Sequence, residues 1–517
     1  MIDEKPAVPQ HSSNPLKKNI IANFIGTFWQ AIMGLIFIPL YIKYIGIESY
    51  GLIGLFSTLQ IIFGLFDIGL GGTLTREMAR LSVLPNKGQE MRNLVRTMEI
   101  IYWCIAILVG IAVISLSSFI SYHWINAGTL SPIIILQAFI IMGFNMIFQM
   151  PIGFYTGGLI GLQKQVMLNV LNVCMSTLRG AGALLILWLV SPTILAFLLW
   201  QVVISIIHAC LIALFLWKSL PYDENNAVFQ KQLLKGVWKF TVGIGGISIL
   251  AVILTQLDKV ILSKLLSLEM FGYYMLASIV AMSLGRLFTP FYSSIYPRFT
   301  QLASINDQYE LKQLYHKSCQ FMSVLILPAA IVIAVFSYEI MLLWTHNSAT
   351  AEKTHLIISI LVCGTALNGL MNPPYALQLA FGWTSLSVYT NLISVILLAP
   401  LIIFMTMSFG AIGGAIAWLV LNIGYIIFWI PIMHKRLLIT EKWRWYWQDV
   451  CIPLMAGTVV AGIGRIILKE PMSHFIMLLC LIIISFLTLG ITALATPVTR
   501  AWLFGQFLKM KSVLESK

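Results

Sequence analysis

Apolar residues run along this chain in blocks of roughly twenty to thirty, separated by short polar gaps, and that is the length a helix needs to cross a bilayer. The blocks fall at 20–42, 50–73, 98–121, 131–156, 168–190, 193–217, 238–258, 270–296, 319–344, 356–380, 385–408, 411–433, 450–468 and 474–496. None shows the period-two alternation over about ten residues that marks a strand of an outer-membrane barrel. The pattern predicts an all-α polytopic membrane protein with about fourteen transmembrane helices.

Composition narrows the class. At 59% hydrophobic and 10% charged residues, the chain has too little polar surface to cover a soluble domain of its size. A net charge of +13 would point to nucleic acid in a soluble protein. Here the basic residues gather in alternate gaps, so no nucleic-acid partner is expected. The opposite gaps hold only Lys43, Lys259, Lys264, Lys353, Arg465 and Lys469, and the positive-inside rule therefore expects both termini in the cytoplasm. Lys17 and Lys18 precede an apolar run without a small-residue cleavage site, which reads as an uncleaved first helix rather than a signal peptide.

The 7 cysteines lie singly in apolar blocks, without the spacing of a metal site, and read as small core residues. His346 and His355, near Glu339 and Glu352, are better read as scattered surface histidines than as metal ligands. The run from Trp443 to Trp447 mixes aromatics with Lys442 and Arg444 and reads as an interfacial anchor.

Two charges break the apolar pattern. Arg179 stands in the middle of VLNVCMSTLRGAGALLILWLV, residues 170–190, and Arg286 lies about as deep in the block at 270–296. An arginine at mid-membrane costs on the order of 2.5–3.5 kcal/mol even on lenient insertion scales, so it belongs in a bundle interior or a wet cavity. Neither block supplies a carboxylate beside its arginine. Together they predict a central, water-lined cavity that receives an anion.

An internal repeat indicates where that cavity lies. Glu48-x-Tyr-Gly51 recurs as Glu269-x-Phe-Gly272, and Lys43 matches Lys264, Pro151 Pro373, Gly161 Gly382 and Asn169 Asn391, each pair 221 or 222 residues apart. The expected organisation is a tail at 1–19, an N-lobe of six helices at 20–218, a linker at 219–237, a second six-helix lobe at 238–434, two further helices within 450–496 and a tail at 497–517. Six helices per copy is an even number, so the lobes share one topology, as in parallel-repeat transporters, with the cavity between them. Pro151 to Gly161 and Pro373 to Gly382 are expected kinks, suited to rocking or to static packing.

The opening segment, from NIIANFIGTFWQ through the Gly-x-Glu-x-Tyr-Gly turn and Asp67-x-Gly-Leu to the following arginine, resembles the oligosaccharide flippases of bacterial polysaccharide export. ILTQLDKVILSKLLSLEMFGYYMLA and the helices at 356–433 do so too. Those flippases share a superfamily with MATE drug exporters and the lipid II flippase. The resemblance implies translocation of an undecaprenyl-diphosphate-linked oligosaccharide to the outer leaflet of the inner membrane by alternating access, for O-antigen or capsule-type export. It also implies glycosyltransferases and a polymerase as partners, and no catalytic role for the chain itself.

The residues fit such a cargo. A guanidinium grips a diphosphate with parallel hydrogen bonds, so Arg179 and Arg286 are the expected anion ligands. Sugars take aromatic faces and amides, here Asn145, Gln149, Tyr273, Tyr274, Tyr292 and Asn368, each of which also reads as core packing. Asp67 reads as an ion-coupling site, as the counter-charge of an empty arginine, or as a folding residue. Asp258 and Lys259 read as a pair at the helix mouth or as a gate. Coupling to H+ or Na+ is permitted but not required, since a membrane potential alone moves a dianion outward. A cationic-drug exporter would need an acidic cavity, and a membrane-bound glycan enzyme would need paired carboxylates beside a sizeable external loop. The sequence offers neither.

Overall fold

The structure is a computed structural model. It describes residues 14–66, 70–468, 472–502 and 504–505, with the side chains of 14–17, 20, 66, 234–248, 289, 290 and 293 set aside. Asp67 and Lys469 lie outside the described residues. Helices make up every secondary-structure element among those described, and twelve segments are long and apolar enough to cross a membrane. The first of them, Ile21–Phe63, is 43 residues long, about twice what a bilayer core needs. It divides at Gly46, whose φ of 79° and ψ of 162° suit glycine and interrupt the helix. Counting its arms separately and adding Lys231–Leu265 reproduces the expected fourteen helices.

The chain forms two compact units, 1–256 and 257–517. The first contains α1 (Asn14–Phe63), α2 (Leu70–Leu81), α3 (Gly88–Phe119), α4 (Pro132–Gly161), α5 (Gln165–Leu189), α6 (Ile194–Ser219) and most of α7 (Lys231–Leu265). The second holds α8 (Leu268–Ser283), α9 (Phe288–Ser304), α10 (Gln308–Val335), α11 (Ser337–Thr345), α12 (Ser348–Leu370), α13 (Asn372–Ala380), α14 (Thr384–Phe409), α15 (Ala411–Gly424), α16 (Ile430–Leu437), α17 (Lys442–Arg444), α18 (Ile452–Ile467) and α19 (His474–Ala495). Ser131, Thr193, Ser267, Asp307, Asn347 and Ser473 start α4, α6, α8, α10, α12 and α19, each side chain accepting the N3 amide of its helix.

Three expected helices are broken. The block at 50–73 stops at Phe63, and the glycine-rich stretch that follows leads into α2, which carries Arg76, Glu77 and Arg80. The block at 270–296 ends at Ser283, passes through a 3-10 turn at Leu284–Leu287 that contains Arg286, and resumes as α9. The block at 356–380 stops at Leu370 and restarts as α13, where prolines at the helix start remove amides that would extend α12. By contrast, α4 runs unbroken through Pro151.

In the first unit α4 is central, packing against α2, α3 and α6. Its contact with α2 is as close as two backbones allow. A Cβ on Gly157 would lie 2.5 Å from the Gly71 carbonyl, one on Gly161 would lie 2.5 Å from that of Thr75, and the Thr75 hydroxyl donates to the Gly157 carbonyl at 2.9 Å. Glu48, half of the repeated motif, is 7% exposed. Its carboxylate accepts the amides of Gly128 and Thr129 at 2.6 and 2.9 Å, together with the Thr129 hydroxyl, and so ties α1 to the loop before α4.

In the second unit α12 packs against α8, α10, α11 and α15, while α10 extends the core to α18 and α19. Polar groups fasten these last helices. Along α10, Lys312, His316, Gln320 and Ser323 form one stripe. His316 Nδ1 meets Asp449 at 2.5 Å and its Nε2 meets Glu441 at 3.1 Å, Gln320 donates to Asp449 at 2.9 Å, and Lys312 pairs with Glu441 at 3.0 Å. Gln320 also accepts the Val498 amide at 3.0 Å, and beyond the other end of α18's core contact Arg465 pairs with the buried Glu339 of α11. Burial alone would raise the Glu441 carboxyl, but hydrogen bonds from Lys312, Thr440 and His316 outweigh it and hold the group at about 2.

Two outcomes follow. Asp449→Ala leaves His316 and Gln320 without their buried acceptor and is expected to cost about 3–5 kcal/mol, whereas Lys312→Ala, at a half-exposed pair, costs under about 1 kcal/mol. Thermal unfolding of the detergent-solubilised variants checks the order. With a depressed folded-state value, Glu441 contributes stability that is complete above about pH 4.5 and lost as pH falls through 2. The Tm difference between wild type and Glu441→Gln should therefore persist at pH 5 and shrink steadily towards pH 3.

Candidate functional site

The first unit holds an open cavity of about 590 Å³ between α1, α4, α5 and α6. Arg179, at mid-length in α5, lines it, and is the only lysine, arginine, aspartate or glutamate among the lining residues. Its Nη2 donates to Ser205 Oγ of α6 at 3.3 Å, and among the described residues it makes no ion pair. The remaining guanidinium donors are left for a ligand.

Position is fixed by the way α1 lies along α5. Asn169 donates to Asn23 at 2.5 Å, Trp29 to Thr177 at 2.9 Å, and the Tyr41 hydroxyl to the Gly180 carbonyl at 2.9 Å. Gly180 must be glycine for this approach, since a Cβ there would lie 2.5 Å from the Phe37 ring. From α6, Trp200 donates to the Leu178 carbonyl at 3.1 Å. The residues on either side of Arg179 are thus held by two neighbouring helices, and the guanidinium turns towards Ser205.

Around this cation the polar part of the lining is amide and hydroxyl, with Gln30 and Ser57 from α1, Gln149 from α4, Asn172 and Ser176 from α5, and Gln201 from α6, beside apolar Met33, Ile53, Ile152, Met175 and Phe197. Gln60 donates to Gln149, and both border a smaller side chamber of about 190 Å³ that shares Gly153 with the main cavity. Neutral polar groups around a single fixed cation suit a ligand that is anionic at one point and hydroxyl-rich elsewhere. They do not suit a cation, which would need a carboxylate.

Of the expected site residues, Arg179 and Gln149 line this cavity. Asn145 sits one turn before Gln149 on α4, 1% exposed, with neither amide atom hydrogen-bonded. Asp67 lies outside the described residues, and the others belong to the second unit. Arg286 is exposed in its 3-10 turn. Tyr273 pairs with Glu269 of its own helix. The Tyr274 hydroxyl donates to Asp258 at 2.6 Å, and Lys259 meets both oxygens of the same carboxylate at 3.1 Å, so Asp258 and Lys259 form a buried pair with each other. Tyr292 stacks between Tyr296 and Tyr375 at 5.6 and 6.1 Å, and Asn368 donates to Asn422 at 2.9 Å. Among the described residues no three His, Cys, Asp or Glu side chains are grouped to hold a metal.

The sequence reading passed over Tyr41, Asn172, Gln201, Ser205 and His208. A signal for three of them was present. In the apolar helix ILAFLLWQVVISIIHACLIALFLWKS, Gln201, Ser205 and His208 recur at i, i+4 and i+7, a polar stripe on one face.

Comparison with known proteins bears on this arrangement. A family model described as "Polysaccharide biosynthesis protein" matches residues 16–303. A Shigella flexneri protein described as "Putative O-antigen transporter" is 23% identical over 190 residues, which cover 37% of this chain and 43% of that relative. Among solved structures, the lipid II flippase MurJ in an inward closed conformation aligns over 92% of this chain and 98% of its own, with a TM-score of 0.66 and 16% identity. An inward-facing multidrug resistance MATE family transporter aligns over 82% and 99%, with a TM-score of 0.62 and 14% identity. At such identities these structures establish a shared membrane-transporter fold.

If Arg179 is the anion ligand, pyrophosphate should raise the Tm of the purified protein by a few degrees, and Arg179→Met should remove that rise while leaving the unliganded Tm unchanged or higher, because an unpaired buried charge has been taken away. A thermal-shift titration reads both.

Proposed function

The chain belongs to the polysaccharide biosynthesis protein family, whose model spans more than half of it, and from that premise we propose that it is a flippase for undecaprenyl-diphosphate-linked oligosaccharides. It carries them from the inner to the outer leaflet of the bacterial inner membrane by alternating access, in O-antigen or capsule-type export. One observation carries the reading: a cavity in a membrane-transporter fold in which Arg179 is the only lysine, arginine or carboxylate side chain among the described lining residues.

The chemistry matches at each part of the cargo. The diphosphate diester has a charge of −2 and oxygens arranged for a planar guanidinium. The amides and hydroxyls of Gln30, Gln149, Asn172 and Gln201 hydrogen-bond sugar hydroxyls, and the polyprenyl tail stays in lipid. Moving a charge of −2 out of a negative interior releases about 2.3 kcal/mol per charge per 100 mV, or roughly 4.6 kcal/mol, so the membrane potential suffices to bias the flux. An exporter of cationic drugs is disfavoured because none of the described lining residues is a carboxylate.

Flux of a fluorescent prenyl-diphosphate oligosaccharide in proteoliposomes tests the reading. An imposed potential, negative on the side of entry, should accelerate transfer several-fold. Arg179→Ala should lower it at least tenfold, and Arg179→Lys should fall between, keeping the charge but losing the fork. Transfer that ignores both potential and Arg179 would refute the assignment.

A further inference from the structure

His208 is a polar cavity residue to which the arrangement above gives no partner. It lines the Arg179 cavity, is 8% exposed, and its Nε2 is buried without a hydrogen-bond partner. It stands one turn beyond Ser205, the residue that receives the Arg179 guanidinium, on the same face of α6. A buried nitrogen left unpaired in an otherwise well-bonded wall costs stability, and such groups persist where a ligand completes them.

The charge balance of the cavity indicates which ligand state does so. Among the described lining residues Arg179 offers a charge of +1 and no carboxylate offsets it, whereas a diphosphate diester brings −2. The titratable groups that line the cavity with His208, among the described residues, are Arg179 of α5 and Tyr41 of α1. Tyr155 of α4 is already committed, donating at 2.6 Å to Glu99 of α3, and that carboxylate is also held by Arg96 and, more than two turns further along α6, by Trp217. With the cavity empty, a charged imidazole would sit beside a guanidinium with no carboxylate among the described lining residues to balance it. Once a dianion is gripped by Arg179, one negative charge remains, facing an unpartnered ring nitrogen.

We propose that His208 takes up one proton when a diphosphate head enters this cavity, so that the cargo and a proton bind together. No covalent bond to the cargo forms. A proton from water adds to Nε2, the resulting N–H donates to a phosphate oxygen, and the proton leaves when the head leaves. The cargo-loaded site is then electrically neutral, and the charge carried per cycle falls from −2 to −1. This rests on the functional reading above, and it gives His208 the role of a second anion ligand that is present only in the loaded state.

The probe is a water-soluble citronellyl-diphosphate N-acetylglucosamine, a diester with no proton of its own titrating near pH 7. Calorimetry of the full-length protein in lipid nanodiscs, in two buffers of different ionisation heat at pH 7.5, counts protons taken up per ligand. Wild type is expected to take up about one, and its affinity should fall about tenfold per pH unit as pH rises through this range. His208→Gln should take up none, bind roughly a hundredfold more weakly at pH 6.5, and approach the wild-type affinity at pH 8.5. The wild-type count needs no variant, so a misfolded His208→Gln leaves the test intact. Binding that depends on Arg179 but takes up no proton overturns the inference alone, as does an unchanged count in His208→Gln. A wild-type protein that does not bind the probe overturns the functional reading, and this inference with it.

Discussion

A guanidinium held inside an apolar helix without a carboxylate is the constraint around which the first unit is arranged. Removing an ion from water is expensive, and proteins usually recover the cost by pairing it. The described buried charges elsewhere in this chain obey that rule: Glu48 holds backbone amides, Glu99 meets Arg96, Asp258 meets Lys259, Glu339 meets Arg465 and Asp449 meets His316. Arg179 has a serine hydroxyl and a wet wall. A charge kept in that state is poised for a partner that comes and goes.

The surrounding packing makes the arrangement tolerable. Helix α1 lies along α5 through amide, indole and phenol contacts, each satisfied, and Gly180 lets the two backbones approach. Helix α6 turns its single polar stripe towards the same space, while its other faces stay apolar for lipid and for α4. Rigid helices therefore hold the binding groups, which limits the reorganisation needed when a ligand arrives. The second unit uses its polar groups differently. Its buried ions are fasteners, joining α10 to Asp449 just before α18 and α11 to Arg465 of α18, with Tyr274 closing the separate pair at Asp258.

Much of this was legible before any coordinates. Long apolar blocks admit one solution in a bilayer, because backbone amides must be satisfied within each segment, and so the helices and their number were determined by composition and length alone. Arg179 was equally conspicuous, since a charge in such a block is costly wherever it points. The interruptions after Phe63, at Arg286 and at Met371 were not foreseen, although glycines and prolines marked two of them, because apolar residues continue across each break and hydropathy does not register backbone direction.

Partnership belonged to the tertiary structure. Nothing in the spacing of Asp258, Tyr274, Asn368 or Tyr292 told whether each would face a cavity or a neighbour, and each found a neighbour. Gln201, Ser205 and His208 formed a readable stripe, but only the packing of α6 against α5 put it opposite Arg179. The reason is physical. Burial and charge cost depend on residue type and are written locally, whereas a hydrogen-bond partner is chosen by which helix faces which, and that is settled by the whole bundle.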